Sequence, residues 1–104
     1  MREISFAQAL DEAVAEEMRR DERVITLGTD FTGNPVKEFG PARVRYTPIS
    51  ESVLTGMGLG AAGCGFRPIV NWRLVTFCFV AMDQIVNQAS KIRYMFGGQA
   101  DFPV

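Results

Sequence analysis

The chain has 104 residues, of which 47% are hydrophobic and 22% charged, a composition typical of a single globular domain covering residues 1–104. Its 11 basic and 12 acidic residues are intermixed and give a net charge of −1, which argues against a protein that binds nucleic acid or a charged membrane surface. No apolar run is long enough to span a bilayer, and the N-terminus does not have the pattern of a signal peptide, so we expect a cytoplasmic protein.

The first predicted element is an amphipathic helix that ends near Arg20. Ser5 and Gln8 have the spacing of a capping box, and apolar residues then recur at helical intervals. The acidic residues of this segment fall on the opposite face, so we interpret them as a solvated surface and not as a site.

A short run of β-branched and apolar residues, Val24–Leu27, predicts a strand covered on both faces. The turn after it, Gly28–Asp30, is a candidate for the rim of a site, because ligands collect at the carboxyl ends of strands in open α/β sheets. From Phe31 to Ala42 the composition changes to Gly, Asn, Pro and Lys, which predicts a loop with a helical turn near Val36–Phe39.

The stretch after the second predicted strand, Val44–Tyr46, contains the main candidate for chemistry. Ser50 is placed to act as an N-cap, and Glu51 then lies beside the positive end of a helix. Glu51 is therefore the candidate functional carboxylate. The alternative is an acid that only stabilises the first helical turn.

Glycines are unusually frequent in this predicted helix. Gly56, Gly60 and Gly63 fall on one face and leave it nearly bare, so we expect another backbone to pack closely against this stripe. Gly58 begins a match to the dinucleotide-binding fingerprint, but that fingerprint requires a strand immediately before its first glycine. Because the preceding residues predict a helix, we reject dinucleotide binding.

The remaining pattern completes an α/β fold. Pro68–Asn71 predicts a third strand, and strand, helix, strand implies a parallel crossover. A stripe from Phe79 to Tyr94 predicts a final helix ended by Gly97 and Gly98, and Phe102–Val104 predicts the start of another strand. We therefore expect a small, mostly parallel sheet with helices on both faces.

Cysteine and histidine usage limits the chemistry. Cys64 and Cys78 do not form a Cys-x-x-Cys pair and there is no histidine, so we expect no metal site and no histidine-dependent nucleophile built from this chain alone. The two cysteines are predicted to be buried free thiols.

In combination, five segments resemble one known family: Ile49–Glu51, the glycine-rich helix, Thr76–Phe79, Asp83–Asn87 and Arg93–Gln99. Over essentially its whole length the chain is similar to the start of the beta subunit of the thiamine-diphosphate-dependent 2-oxo acid dehydrogenases, which handle pyruvate, branched-chain 2-oxo acids and acetoin. The resemblance implies the N-terminal part of a transketolase-like pyrimidine-binding domain.

The resemblance also implies roles for three residues. The glutamate matching Glu51 is catalytic and holds a ring nitrogen of the cofactor's aminopyrimidine, which favours the imino tautomer that deprotonates the thiazolium carbon. The aromatic residue matching Phe77 stacks on the pyrimidine, and Ile49 lines the same pocket. Another subunit or domain holds the diphosphate and magnesium, so an alpha-type partner is implied. Without the resemblance, Phe77 would be predicted to be a core aromatic.

The sequence also departs from the family pattern. The family usually has Gly-Glu-Asp where this chain has Gly28–Asp30, and the family's later strands, its histidine and its C-terminal domain have no counterpart in the sequence. We therefore expect a shortened relative that is inactive alone. Two alternatives stay open: a subunit that completes a thiamine diphosphate site with partner chains, and an interaction module without a cofactor.

The abundance of apolar residues further predicts self-association, most simply as a dimer. The predicted contact is the face carrying Gly56, Gly60 and Gly63, or the last helix. Polar residues of that last segment, Asp83, Asn87, Arg93 and Tyr94, are predicted to face a partner or solvent.

Overall fold

The computed structural model describes residues 2–29 and 34–104, and in these ranges helices surround one small sheet. In chain order the elements are α1 (Phe6–Arg20), β1 (Val24–Gly28), α2 (Asn34–Arg43), β2 (Val44–Tyr46), α3 (Glu51–Gly63), β3 (Arg67–Asn71), a 3₁₀ helix (Val75–Ala81), a π-helix (Asp83–Ala89) and α4 (Ile92–Met95). The three predicted strands are present, with bounds that differ from the prediction by at most one residue.

The sheet is parallel, with β1 in the centre and the order β2-β1-β3. Gly28 at the end of β1 lies opposite Tyr46 of β2 and Asn71 of β3. The carboxyl ends of the three strands are therefore level, and they form a single edge from which the following connections leave.

The core has two parts because successive side chains of a strand point to opposite faces. On one face Val24 and Val44 pack with Met18 of α1. On the other face Ile25 and Leu27 pack with Leu54 of α3. The predicted α/β architecture with helices on both faces is confirmed, and the sheet is parallel throughout.

The C-terminal end of α1 is fixed to the sheet by Arg43. Its guanidinium donates hydrogen bonds to the carbonyls of Met18, Asp21 and Val24 at 2.7, 2.9 and 2.8 Å, and it lies 4.9 Å from the centre of the Phe39 ring. At the other end of α1 the predicted capping box forms between Ser5 and Gln8.

The segment before β2 is more helical than predicted. Instead of a loop with one turn at Val36–Phe39, α2 covers Asn34–Arg43 and is interrupted at Gly40, which has a left-handed φ of 65°. Proline is compatible with the first turn of a helix, and Gly40 interrupts the helix directly before Pro41. The glycine and proline residues that predicted a loop therefore lie at the ends of the two helical parts of α2. Asp30 and Phe31 lie outside the described residues.

The glycines of α3 do not act as predicted. A Cβ on Gly58 would lie 2.5 Å from Cγ2 of Val70, so Gly58 is the glycine that permits close packing on β3. A Cβ on Gly60 or Gly56 would meet nothing within 4 Å, whereas Gly63 is covered by the Phe102 ring. The expectation of a backbone packed along the Gly56, Gly60 and Gly63 stripe is wrong, because the sheet approaches a different face of the helix.

The segment after β3 differs most from the prediction. The expected continuous helix from Phe79 to Tyr94 is a 3₁₀ helix, a π-helix and α4 in succession, and several of its large apolar side chains are exposed, with Phe79 at 67% and Tyr94 at 89%. Phe102–Val104 is not a strand; the Phe102 ring instead stacks 6.4 Å from that of Phe96. An alternating pattern forms a strand only where a neighbouring strand offers hydrogen bonds.

The two thiols are less buried than predicted. Cys64 is exposed because it follows the last residue of α3, and Cys78 is half-buried in the 3₁₀ helix. In the part of the chain that the structure describes, no cluster of Cys, Asp and Glu could hold a metal ion. No helix among the described residues combines the length and the apolar character needed to cross a membrane.

Candidate functional site

The candidate site lies at the carboxyl edge of the sheet. Ile49 is on the connection that leaves β2, and Glu51 is the first residue of α3, the helix to which this connection leads. Phe77 is in the 3₁₀ helix that follows β3. Because β2 and β3 end level with each other on either side of Gly28, both connections start from the same edge.

The start of α3 is stabilised by the hydroxyl of Thr55, a residue that was not predicted from the sequence to have this role. Ser50 occupies the N-cap position, but its side chain makes no capping hydrogen bond, which corrects the predicted cap. Thr55 instead donates from Oγ1 to the Glu51 carbonyl at 2.7 Å, and Trp72 donates from Nε1 to that same hydroxyl at 2.9 Å. Thr55 is buried, so this chain of hydrogen bonds fixes the backbone of Glu51 relative to the end of β3.

A second hydrogen bond joins α3 to the element that carries Phe77. The Ser52 hydroxyl donates to the Val80 carbonyl at 2.8 Å, so the first turn of α3 and the 3₁₀ helix are directly connected. The chain reaches this helix through a sharp turn in which the Arg73 backbone N–H donates to Oδ1 of Asn71 at 2.7 Å, and Arg73 has a φ of 63°. The structure therefore brings the segments of Glu51 and Phe77 together.

The Glu51 carboxylate is half-buried, and its oxygens have no hydrogen bond or ion pair within residues 2–29 and 34–104. The first backbone hydrogen bond inside α3 is donated by Leu54 to the Ser50 carbonyl at 2.8 Å, so the preceding N–H groups leave positive partial charge near Glu51. The carboxylate is therefore able to accept a hydrogen bond from a ligand.

The two apolar candidates offer accessible surface beside this carboxylate segment. The Phe77 side chain is 38% exposed and Ile49 is 79% exposed. Phe77 is therefore not the core aromatic that the residues alone predict, because a substantial part of its ring can meet a ligand or a partner.

The other polar candidates have partners of their own. Asn87 donates from Nδ2 to Oδ1 of Asp83 at 2.8 Å, and Arg93 pairs with Asp101 at 2.9 Å on the surface. At the predicted rim, the carbonyl of Gly28 accepts from the Thr47 N–H at 2.9 Å, while Asp30 lies outside the described residues. These pairs neither contribute to nor interrupt the arrangement around Glu51.

Sequence reasoning missed the supporting residues Ser52, Thr55 and Trp72. One signal was present: hydroxyl residues in the first turns of an otherwise apolar helix often bond to nearby backbone carbonyls. The partner of such a hydroxyl depends on the tertiary fold. The bond from Trp72 to Thr55 could therefore not be predicted from spacing.

Comparison with known proteins identifies one family model and several relatives that match this chain. The family model described as transketolase, pyrimidine binding domain, matches residues 2–104. The acetoin:2,6-dichlorophenolindophenol oxidoreductase subunit beta of Cupriavidus necator is 40% identical over 121 residues, covering 99% of this chain and 36% of that protein. The pyruvate dehydrogenase E1 component subunit beta of Rickettsia bellii is 40% identical over 111 residues, covering 98% and 34%.

A third relative is named for another 2-oxo acid, 2-oxoisovalerate. The 2-oxoisovalerate dehydrogenase subunit beta of Bacillus subtilis is 37% identical over 110 residues, covering 97% of this chain and 34% of that protein. The resemblance stated from the sequence is confirmed by these matches. The chain spans about a third of the length of these relatives.

Proposed function

Because the chain belongs to the transketolase pyrimidine-binding domain family, we propose that it provides the pyrimidine-binding half of a thiamine diphosphate site. The observation that carries this proposal is the half-buried carboxylate of Glu51, which has no partner among the described residues and lies at the start of α3, at the carboxyl edge of a parallel sheet. The hydrogen bonds from Trp72 through Thr55 to the Glu51 carbonyl hold the backbone of this residue at that edge.

The residues present fit the aminopyrimidine ring. Glu51 would accept a hydrogen bond from the ring, a role supported by carboxylate oxygens that have no partner among the described residues. Phe77 would stack on the face of the ring, since its own ring is partly exposed, and the exposed aliphatic side chain of Ile49 would line the pocket. When bound, thiamine diphosphate supplies a carbanion that adds to 2-oxo acids. The contribution of this chain is to orient the ring and to hold a proton at a carboxylate oxygen of Glu51.

The remainder of the site is assigned to an alpha-type partner chain. A diphosphate with its metal needs oxygen ligands and several N–H donors, and no metal-binding cluster occurs among the described residues. We propose that the chain alone does not turn over a 2-oxo acid, since it has no histidine and no diphosphate clamp. Turnover by the purified chain that disappears in Glu51→Gln would contradict this statement.

The direct test is a titration with the aminopyrimidine alcohol that forms one half of thiamine, monitored by NMR. We expect shifts at Glu51, Ser52 and Phe77, because these residues surround the proposed ring position. Phe77→Ala should weaken binding by about tenfold, as stacking contributes about 1–3 kcal/mol in other base-binding proteins.

Phe79→Ala is the matched control, since Phe79 lies on the same 3₁₀ helix and is also exposed. Its affinity for the pyrimidine should equal that of the wild type. Shifts confined to residues outside the carboxyl edge, or equal losses in both variants, would show that the pyrimidine does not bind at Phe77.

Self-association is a second candidate function, and one observation favours it. The 3₁₀ helix and the segment after it expose large apolar side chains, including Phe79 and Val80. Such a surface is typical of an interface. We propose a dimer through this surface, with Phe79→Ser combined with Val80→Ser giving a folded monomer by light scattering; a wild-type chain that is monomeric at high concentration would contradict it.

The glycine face is the weaker of the two predicted contacts. Gly63 is covered by Phe102, and Gly56 and Gly60 line a cleft of about 300 Å³ shared with Gln84 and Gln88 of the π-helix. We therefore expect Gly60→Leu, which has room for a side chain, to leave the dimer intact.

A further inference from the structure

A groove runs between α3 and the edge strand β2, on the sheet face opposite α1. It encloses about 330 Å³. Among the described residues α3 packs on β1 and β3, but no Cα atom of β2 lies within 8 Å of a Cα atom of α3, so α3 does not cover the sheet face at β2. Gly60 widens the groove, because a Cβ at that position would meet nothing within 4 Å.

The groove has an apolar floor and apolar walls. Ile25 and Leu27 of β1 form the floor, and Met57 and Phe66, both partly exposed, stand at its sides. A surface of this size and composition accommodates the hydrocarbon part of a small molecule.

Within the described part of the chain, Arg45 is the charged residue that lines this groove. Arg45 is opposite Leu27 in the parallel register, and paired residues of neighbouring strands share a face, so its side chain extends on the groove side of the sheet. Its guanidinium has no ion pair or hydrogen bond in residues 2–29 and 34–104. Among the described residues no acidic side chain lines the groove, so none of them compensates the charge of Arg45 there.

We propose that this groove binds a small monocarboxylate with an aliphatic tail. The carboxylate pairs with the Arg45 guanidinium, whose planar fork matches its two oxygens, and the tail lies on Ile25 and Leu27 between Met57 and Phe66. Ile49, Glu51 and Phe77 are not among the residues that line this groove, so binding in the groove does not depend on pyrimidine binding.

The test is an NMR titration of the full chain with hexanoate, using hexanol and hexylammonium as matched ligands. We expect hexanoate to shift Gly60, Cys64 and Phe66, hexanol to bind more weakly, and hexylammonium to leave these signals unchanged. Equal binding of all three ligands, or no shift at these residues, would overturn the proposal. Signals that move with protein concentration but not with hexanoate would overturn it too, because a second copy of the chain would then occupy the groove.

Variants separate the charge from the fold. Arg45→Gln should weaken hexanoate binding by about ten- to a hundredfold, the range expected for losing a hydrogen bond to a charged group. Arg45→Lys should retain part of the affinity. Arg20→Gln, which removes an exposed arginine on α1, is the control and should bind like the wild type. Equal affinity in Arg45→Gln and Arg20→Gln would contradict the assignment.

Discussion

The chain up to Asn71 and the chain after Trp72 are built in different ways. Up to Asn71, apolar side chains alternate between two faces of a sheet and are buried there, as Met18, Leu27 and Leu54 show. After Trp72, Ala81 is the only residue of the described chain that is fully buried, and large side chains such as Phe79, Tyr94 and Met95 are exposed.

The difference shows what each part needs from its surroundings. The sheet and its helices bury their apolar faces against each other, whereas the later segment packs on α3, for example through the hydrogen bond from Ser52 to the Val80 carbonyl, and leaves much of its apolar surface exposed. An apolar surface of this kind is typical of a segment that meets a partner. The candidate site lies at the junction, with Glu51 on the packed part and Phe77 on the exposed part.

The largest expected contrast is between Leu54→Ala and Phe79→Ala. Leu54 is 1% exposed at the centre of the α3 face, so its truncation should lower the free energy of unfolding by about 2–5 kcal/mol. Phe79 is mostly exposed, and at protein concentrations where the chain is monomeric its truncation should change the free energy by less than about 0.5 kcal/mol. Urea unfolding of both variants measures the contrast. Equal losses would mean that the later segment has a core of its own.

Arginines give the next contrast. Arg43→Met removes the hydrogen bonds that Arg43 donates to the Met18, Asp21 and Val24 carbonyls, and should cost roughly 2 kcal/mol of unfolding free energy. Arg93→Met breaks only an exposed pair with Asp101 and should cost less than about 1 kcal/mol. The same urea experiment applies, and a larger loss in Arg93→Met would reverse the comparison.

Two glycines of α3 give a third contrast, in which the two substitutions should change stability in opposite directions. Gly58→Ala would place a methyl group against Val70 and should destabilise the chain by about 1–3 kcal/mol. Gly60→Ala has open space and should stabilise it by up to about 1 kcal/mol, since alanine favours the helix. Thermal unfolding distinguishes the two signs. A stabilising Gly58→Ala would mean that β3 does not approach α3 this closely.

The smallest expected effect depends on pH. The pKa of Asp21 is lowered from 3.8 to about 2, chiefly by a hydrogen bond from the Arg23 side chain, then by the Arg23 backbone N–H. A lowered pKa in the folded state stabilises the fold above pH 3.8, and this contribution is lost as the pH falls towards 2. The melting temperature of Asp21→Asn should therefore lie below that of the wild type near neutral pH and approach it in acid. A constant difference would exclude this linkage.

The same division explains how much could be predicted from the sequence. The strands around Val24, Val44 and Pro68 were predictable because buried parallel strands are short, apolar and rich in β-branched residues. The later segment was predicted incorrectly as one continuous helix. The apolar residues from Phe79 to Tyr94 have the spacing of an amphipathic helix, although most of them are exposed and do not pack in the core. Glu51 could be proposed from its position at a helix start, whereas the hydrogen bond from Trp72 that supports it depends on the tertiary fold.

The most direct test of the central claim compares the affinity of wild type and Glu51→Gln for the aminopyrimidine alcohol. Calorimetric titration gives both dissociation constants, and Glu22→Gln, an exposed acid far along the chain from α3, serves as the control. Glu51→Gln is expected to bind at least about tenfold more weakly, because a hydrogen bond to a charged carboxylate is lost, while Glu22→Gln should bind like the wild type. Equal affinity in wild type and Glu51→Gln would contradict the assignment of Glu51 to the pyrimidine ring.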